Sequence, residues 1–290
     1  MQHVIEKAAG MIEALPFIQR FRGETVVVKF GGSMMDDPEL CRGILQDIAF
    51  MEVIGMRPVV VHGGGKAISR ALQAEGVESR FLQGLRVTDG ASIRVVERVL
   101  NQEINPEMVR TLAEFQCKAH GIHGEDILCV QKHAEIDPAT GEALDWGFVG
   151  EVTEVNVAPI RAFLQAEMVP VVTPLGRGAD GNLYNINADE AAAAIACALQ
   201  ARKLVFLSDV PGLLRTPGDV ASMISSVTVG EVHQLIRDGI IAGGMLPKIR
   251  GALKALETGV RKTHIIDSSL SHSLLLELFT NEGVGTEIVP

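Results

Sequence analysis

The chain has 290 residues, 47% of them hydrophobic and only 4% aromatic, with a formal net charge of −10. The apolar share excludes an intrinsically disordered chain, and the scarcity of aromatic residues requires a mostly aliphatic core. The acidic balance argues against a general nucleic-acid binder, which needs dense positive charge, but leaves room for a local cationic site for an anionic metabolite.

Cys41, Cys117, Cys129 and Cys197 are dispersed with no CxxC pair, so zinc-finger and thioredoxin-like readings lack support. No secretory leader is recognised and no apolar run has bilayer-spanning length. The expectation is a soluble protein of the cytoplasm, with no membrane and no nucleic-acid partner.

The first segment places Val4, Ile5, Ala8, Met11, Ile12 and Leu15 mostly at three- and four-residue intervals, predicting an amphipathic helix that ends near Pro16. Its apolar stripe must be covered, by the same subunit or by a neighbouring one. Thr25–Phe30 reads as a buried parallel strand running into Gly31-Gly32, followed by a helix over Pro38–Ile54. Pro58–Val61 is the next strand, followed by Gly63-Gly64-Gly65 and a helix over Lys66–Ala74. Further helices are predicted at Ala91–Asn101 and Pro106–Ala119, and short strands at Ile127–Gln131 and Gly147–Val152. The stretch HAEIDPATGEALD between those strands reads as a surface hairpin or flap. Met168–Thr173 and Lys203–Ser208 are strands flanking an alanine-rich helix to about Gln200. Val229–Gly239 and Leu246–Glu257 are helices, and Thr263–Asp267, Leu274–Phe279 and Thr286–Val289 are strands or short helices.

This alternation predicts an α/β protein, a three-layer α/β/α sandwich with an open, mostly parallel central sheet. The expected organisation is an N-terminal helical extension over 1–24 and one domain over 25–290. That domain divides into an acceptor-substrate lobe (about 25–180) and a nucleotide lobe (about 181–290).

Gly31-Gly32, Gly63-Gly64-Gly65 and Gly243-Gly244 let backbone N–H groups approach an anion, and two of these turns follow strands. Neither a GxxxxGK[ST] phosphate loop nor a clean GxGxxG fingerprint is present. Lys29 and Lys248 are candidate clamps for a phosphoryl group; read singly, each is more often a solvated or helix-capping lysine, and it is the glycine turns beside them that favour the clamp. Asn185, Asn187 and Asp189 form NxNxD before a helix. Asp189 is read as a helix cap, yet alternate residues of an extended approach share a face, so all three also qualify as cleft residues. Arg86 is a candidate bidentate clamp for a carboxylate, or a surface arginine.

Taken together, VVVKFGGS (26–33), VHGGGK (61–66), GLRVTD (84–89), NINADE (185–190), FLSDVPG (206–212), GGMLPKI (243–249) and HSLLLELFTNEGVGT (272–286) resemble the amino acid kinase family. The resemblance is sharpest to the branch that phosphorylates N-acetyl-L-glutamate in arginine biosynthesis. It implies ATP with Mg²⁺ and catalytic roles for Lys29, Lys248 and Asp189. It also implies a substrate pocket of Gly63, Gly64, Arg86, Asn185 and Asn187, and a nucleotide side of Gly31, Gly32, Ser208 and Asp209. Mg²⁺ is expected on the ATP phosphates and water, with no protein metal ligand named. In arginine-inhibited members the N-terminal helix interlaces dimers into a hexamer, and His264, Glu277 and Gly283 match effector positions, so the resemblance implies a homo-oligomer and an L-arginine effector. It leaves a PII-type regulator undecided. Two places depart from the pattern: Asp267-Ser268-Ser269 stands where relatives carry Asp-Gly-Arg, and Trp146 where a smaller aliphatic residue is usual. Rival readings are a kinase for a carrier-bound glutamate or aminoadipate, and a non-enzymatic arginine-sensing scaffold.

Overall fold

The computed structural model describes residues 1–82, 84–136, 141–216, 218–280 and 283–290, without the side chains of 2–4, 6, 7 and 33. The side chain of Val4 and the tip of the expected flap, 137–140, therefore lie outside the described residues. Eight strands form the central sheet: β1 (Thr25–Phe30), β2 (Arg57–His62), β3 (Ala119–Ile122), β4 (Val169–Val172), β5 (Lys203–Ser208), β6 (Ser226–Thr228), β7 (Lys262–Asp267) and β8 (Thr286–Val289). Their order is β6-β8-β7-β5-β1-β2-β4-β3. All pairings are parallel except β7 with β8. From β1 the chain moves outward through β2 and later returns to the other flank with β5. The carboxyl ends of β1 and β5 therefore form the switch point where such sheets bind ligands.

Alternation along the strands divides the core. Val27, Val59, Val61, Leu204 and Phe206 face one layer, while Val26, Val28, Phe30, Val60, Val205 and Leu207 face the other. Helices α1 (Gln2–Phe21), α2 (Pro38–Val53), α3 (Gly65–Ala74), α4 (Gly90–Glu97), α5 (Asn105–Glu114), α6 (Ala158–Gln165), α7 (Ala188–Leu199), α8 (Val229–Arg237), α9 (Met245–Glu257) and α10 (Ser273–Phe279) supply the outer layers. The first cluster is closed by α6, α7, α8 and α9, and the second by α2, α5 and α10 with the last turn of α1. The expected three-layer sandwich is present.

A second sheet orders Leu183–Asn185, Leu175–Gly178, Leu128–Lys132 and Gly150–Val155. Three small two-stranded pairs are also seen among the described residues, one of them joining Leu213–Leu214 to Met223–Ile224. Another pairs Arg80–Leu82 with Leu85–Val87; the third, in the expected flap, pairs Glu135–Ile136 with Ala143–Leu144. Among the described residues no helix is long and apolar enough to cross a membrane.

Four local expectations are corrected. Helix α1 does not stop at Pro16 but continues to Phe21. An internal proline costs about 3 kcal/mol, and Phe17, Ile18 and Phe21 compensate by packing on the second core cluster. The helices expected at 91–101 and 106–119 are one helical run from Gly90 to Glu114, joined by a π-helical segment, Arg98–Ile104. Pro106 has no N–H to give the ladder, and the turn before it is the widened one. Ala119 belongs to strand β3, because Gln116 turns left-handed (φ 60°) and breaks the helix. Asn187, rather than Asp189, caps α7: its Oδ1 accepts from the N–H groups of Asp189 at 2.8 Å and Glu190 at 3.4 Å. The cap must precede the first turn, and Asp189 already lies inside it.

Candidate active site

Lys29 shares a strand face with Val27, so it enters the layer that holds α7 and α9. Helix α7 buries Ala191, Ala192, Ala193 and Ala196. These side chains contribute little burial energy each, but their small size permits close approach. A methyl group on Gly251 of α9 would lie 3.4 Å from the Ala193 methyl and 3.6 Å from the Asp189 carbonyl oxygen. This packing brings the first turn of α9 to that of α7. Lys248 Nζ donates to Asp189 Oδ2 at 2.7 Å, and Lys29 Nζ stands 3.0 Å from Asp189 Oδ1. Lys29 and Asp189 are buried and Lys248 half-buried.

Burial works to raise the Asp189 carboxyl, but the charges and hydrogen bonds of Lys29 and Lys248 outweigh it and hold it below its usual range. Burial lowers Lys29, assisted by the charge of Lys248 and opposed by Asp189 and Asp209. One carboxylate between two lysine side chains forms a paired cluster whose burial makes its charges interact more strongly than in water.

The glycine turns complete the cradle. The Gly63 N–H donates to the Phe30 carbonyl at 2.7 Å and locks the turn after β2 to the end of β1. Gly32 has φ 87°, a conformation suited to glycine. At Gly64 a Cβ would lie 2.7 Å from Leu100 Cδ2 and 2.9 Å from Ile104 Cδ1. Lys29, Gly32, Gly63, Gly64, Arg86, Asn185, Asn187 and Asp189 line one cavity of about 210 Å³.

Arg86 is buried, which lowers its pKa. Its Nη2 donates to the Gly65 carbonyl at 2.7 Å and to Ser69 Oγ at 2.9 Å, its Nη1 donates to Ser79 Oγ, and its guanidinium lies 4.6 Å from the Phe81 ring centre. Three of a guanidinium's five donors are thus spent on positioning, leaving N–H groups for a ligand in the cavity. Asn185 Nδ2 donates to Thr88 Oγ1 at 3.3 Å. His62, at the end of β2, has no exposed surface: Nδ1 lies 2.8 Å from the Gly63 carbonyl, and Asn105 Nδ2 lies 3.2 Å from Nε2. Burial pushes it down to about 4, so it is a neutral structural ring beneath the glycine turn.

Ser208 ends β5, with its carbonyl accepting from the Ser268 N–H at 2.8 Å and Ser268 Oγ at 2.7 Å. The Ser208 hydroxyl is buried without a partner among the described residues. Asp209 is exposed beyond it, and Gly31 is buried so close to Lys29 that a Cβ there would lie 2.8 Å from Nζ. None of these three lines the cavity; they flank it on the β1 and β5 side.

His264, Glu277 and Gly283 come together elsewhere, in a pocket of about 490 Å³ between the end of α1 and the β7–β8 edge. His264 Nδ1 lies 2.6 Å from Glu277 Oε1, while Glu277 Oε2 accepts from the N–H groups of Val284 at 2.8 Å and Gly285 at 3.1 Å. Arg20, Arg202, Lys203, Arg261 and Lys262 also line it. Sequence reasoning missed Ser69, Ser79 and Phe81 around Arg86, Asn105 behind His62, and Lys203 in the second pocket. Lys203 alone carried a signal, as a charged residue opening a strand otherwise fit for the core.

Residues 24–267 match the amino acid kinase family. An acetylglutamate kinase of Moorella thermoacetica is 48% identical over 99% of this chain and 98% of its own length. Among solved structures, the N-acetylglutamate synthase of Neisseria gonorrhoeae complexed with coenzyme A and N-acetyl-glutamate superposes with a TM-score of 0.85 at 28% identity. The match covers 98% of this chain and 63% of that one. The same synthase complexed with coenzyme A and L-arginine gives 0.81 at 27% identity, covering 97% and 65%.

Proposed function

Because the chain belongs to the amino acid kinase family and is a kinase, we propose that it transfers the γ-phosphoryl group of ATP to the side-chain carboxylate of N-acetyl-L-glutamate. The products are N-acetyl-L-glutamyl 5-phosphate and ADP. The observation that carries this reading is the Lys29–Asp189–Lys248 cluster, whose Lys29 and Asp189 line a cavity that also receives Arg86. A carboxylate is already nucleophilic, so the site needs no general base, and positioning with charge neutralisation supplies the catalysis.

In this reading Arg86 pairs with an acceptor carboxylate, Asn185 and the glycine-turn amides orient the acceptor, and the two lysines neutralise charge on the moving phosphoryl group. Asp189 keeps both ammonium groups in place. The N-terminal half supplies the acceptor lobe. The C-terminal half, with Ser208 and Asp209, supplies the nucleotide lobe. Both Asp189 oxygens already face ammonium groups, so this carboxylate is not a ready Mg²⁺ ligand, and the ion fits as a passenger of the ATP phosphates. When bound it supplies further charge neutralisation there.

L-Arginine is proposed as an effector in the His264–Glu277 pocket, Glu277 receiving its guanidinium. Support comes from the arginine complex of the structural neighbour and from the position of the pocket against α1. The exposed Ile5, Met11, Ile12 and Leu15 of α1 support its docking on a second copy in a hexamer.

The test is hydroxylamine trapping of acyl phosphate with Mg-ATP and N-acetyl-L-glutamate, beside glutamate, aspartate and N-acetylaminoadipate. Hydroxamate with N-acetyl-L-glutamate alone is the expected result. Silence with every free acid, from folded protein that binds ATP, would overturn the acceptor assignment.

A further inference from the structure

The chain has a single tryptophan, Trp146, and it is fully buried. A buried indole N–H needs a partner; this one donates to the Leu82 carbonyl at 3.1 Å. Leu82 ends the outgoing limb of the Arg86 hairpin and pairs with Leu85, while Arg86 sits opposite Phe81 on the returning limb. The backbone around Trp146 grips that returning limb as well. The Thr88 N–H donates to the Trp146 carbonyl at 2.8 Å, and the Phe148 N–H donates to the Thr88 carbonyl at 2.6 Å. Between them Gly147 has φ 72°, and a Cβ there would lie 2.3 Å from the Thr88 carbonyl oxygen, so the two segments meet this closely only with glycine. On the indole's other contact, the His133 ring stands edge-on at 4.5 Å and is itself held 2.5 Å from Glu151.

A two-stranded hairpin with three-residue limbs has little stability of its own. Its placement over the cavity therefore depends on what holds it from behind, and Trp146 holds both limbs at once. Trp146 does not line the cavity, and no contact with Lys29, Asp189 or Lys248 is seen.

We propose that Trp146 is a positioning residue for acceptor recognition: its indole and its carbonyl fix the register in which the hairpin presents Arg86 to the acceptor carboxylate. The proposal rests on reading the Arg86 cavity as the acceptor site. Acceptor binding loads the hairpin and so changes the environment of the indole, whereas the nucleotide, on the far side of the lysines, does not.

Trp146→Phe keeps an aromatic ring and deletes the N–H. Steady-state kinetics of the intact protein should show the KM for N-acetyl-L-glutamate raised about three- to tenfold, the span of one lost hydrogen bond, with kcat and the KM for ATP within about twofold. In the wild-type protein, titration with N-acetyl-L-glutamate should change the emission of the single tryptophan with saturation, and the non-hydrolysable analogue AMP-PNP should leave it flat. The emission arm stands even where Trp146→Phe does not fold. A variant with a lowered Tm and an unaltered acceptor KM, together with a flat wild-type titration in protein that phosphorylates N-acetyl-L-glutamate, overturns the positioning role and leaves the proposed activity intact. Absence of hydroxamate from wild-type protein removes the acceptor reading and this inference with it.

Discussion

In the cavity above β1 a buried carboxylate, Asp189, is held between two ammonium groups; in the pocket beneath α1 a buried carboxylate, Glu277, is held by a histidine ring and two backbone N–H groups. Asp189 therefore depends on its lysines for its charge and fixes them in return. Glu277 owes its lowered pKa, against the raising effect of burial, to His264 and to the backbone. The cations around it have other partners as well: Lys203 Nζ lies 4.9 Å from the centre of the Phe21 ring of α1, and Lys262 pairs with Glu287 at 2.8 Å. The first site uses its carboxylate to order two cations. The second satisfies its carboxylate internally and keeps its cations at a wall supplied by another element.

The sharpest way to break this contrast is Lys248→Ala. A drop in kcat of about 10²–10³-fold is expected, comparable to losing one preorganised donor at a developing charge. An unchanged circular dichroism spectrum would show that the fold persists, and a near-normal kcat would remove Lys248 from the mechanism.

The histidine under the first pocket gives the next effect. His62 is neutral in the fold at about 4 against an ordinary 6.5. As pH falls below 6.5 the unfolded chain takes up this proton while the fold refuses it. Stability present above 6.5 is therefore lost down to about pH 4, by roughly 3 kcal/mol in total. Urea midpoints of wild type and His62→Gln, followed across that interval, check it: the variant's decline should be shallower by that amount. A parallel decline would place the acid sensitivity elsewhere.

Arg86→Lys keeps a charge but loses the planar fork. It should raise the acceptor KM about 10- to 100-fold and leave the KM for ATP unchanged, as initial-rate kinetics in both substrates would show. Equal increases in both would mean that the hairpin serves the whole cleft.

The smallest change in catalysis belongs to Glu277→Gln, with kcat expected within about twofold of wild type; under the proposed effector role, the arginine concentration for half-inhibition should rise about tenfold or more. Inhibition curves measure this directly. A collapse of kcat would erase the division between the two pockets.

Much of the architecture is legible because apolar runs and glycine turns alternate: TVVVKF and KLVFLS lie in the sheet with the bounds the pattern implies. Strand β3, AHGI, is not, since a histidine and a glycine within four residues erase the β signature. Its Gly121 is needed because a Cβ there would lie 2.0 Å from Asn105 Oδ1, a contact between elements that periodicity cannot reveal. At the site, Lys29 and Asp189 were recognisable from their neighbours, yet the direction of each side chain came from strand parity and helix phase acting together. The exchange of capping roles between Asn187 and Asp189 shows the limit, since both are good caps and only the position of the first turn decides. Ser69 and Ser79 carry no local mark at all; they matter because a hairpin folds Arg86 against them.

The π-helical segment Arg98–Ile104 bears on residue counting. A π turn is an α turn with one residue more, and here that extra residue sets where Leu100 and Ile104 meet Gly64. The segment is thus a length gauge for the cavity beside Gly64, written inside a helix where insertions and deletions are normally least tolerated. Deleting one residue within it would return the run to regular α geometry with the flanking turns near their present phase, while shifting Leu100 and Ile104 relative to Gly64. Alignments of this chain should accordingly place any single-residue gap near 98–104 in the helix itself, and a chain carrying that gap would need a differently shaped residue wherever Gly64 now sits.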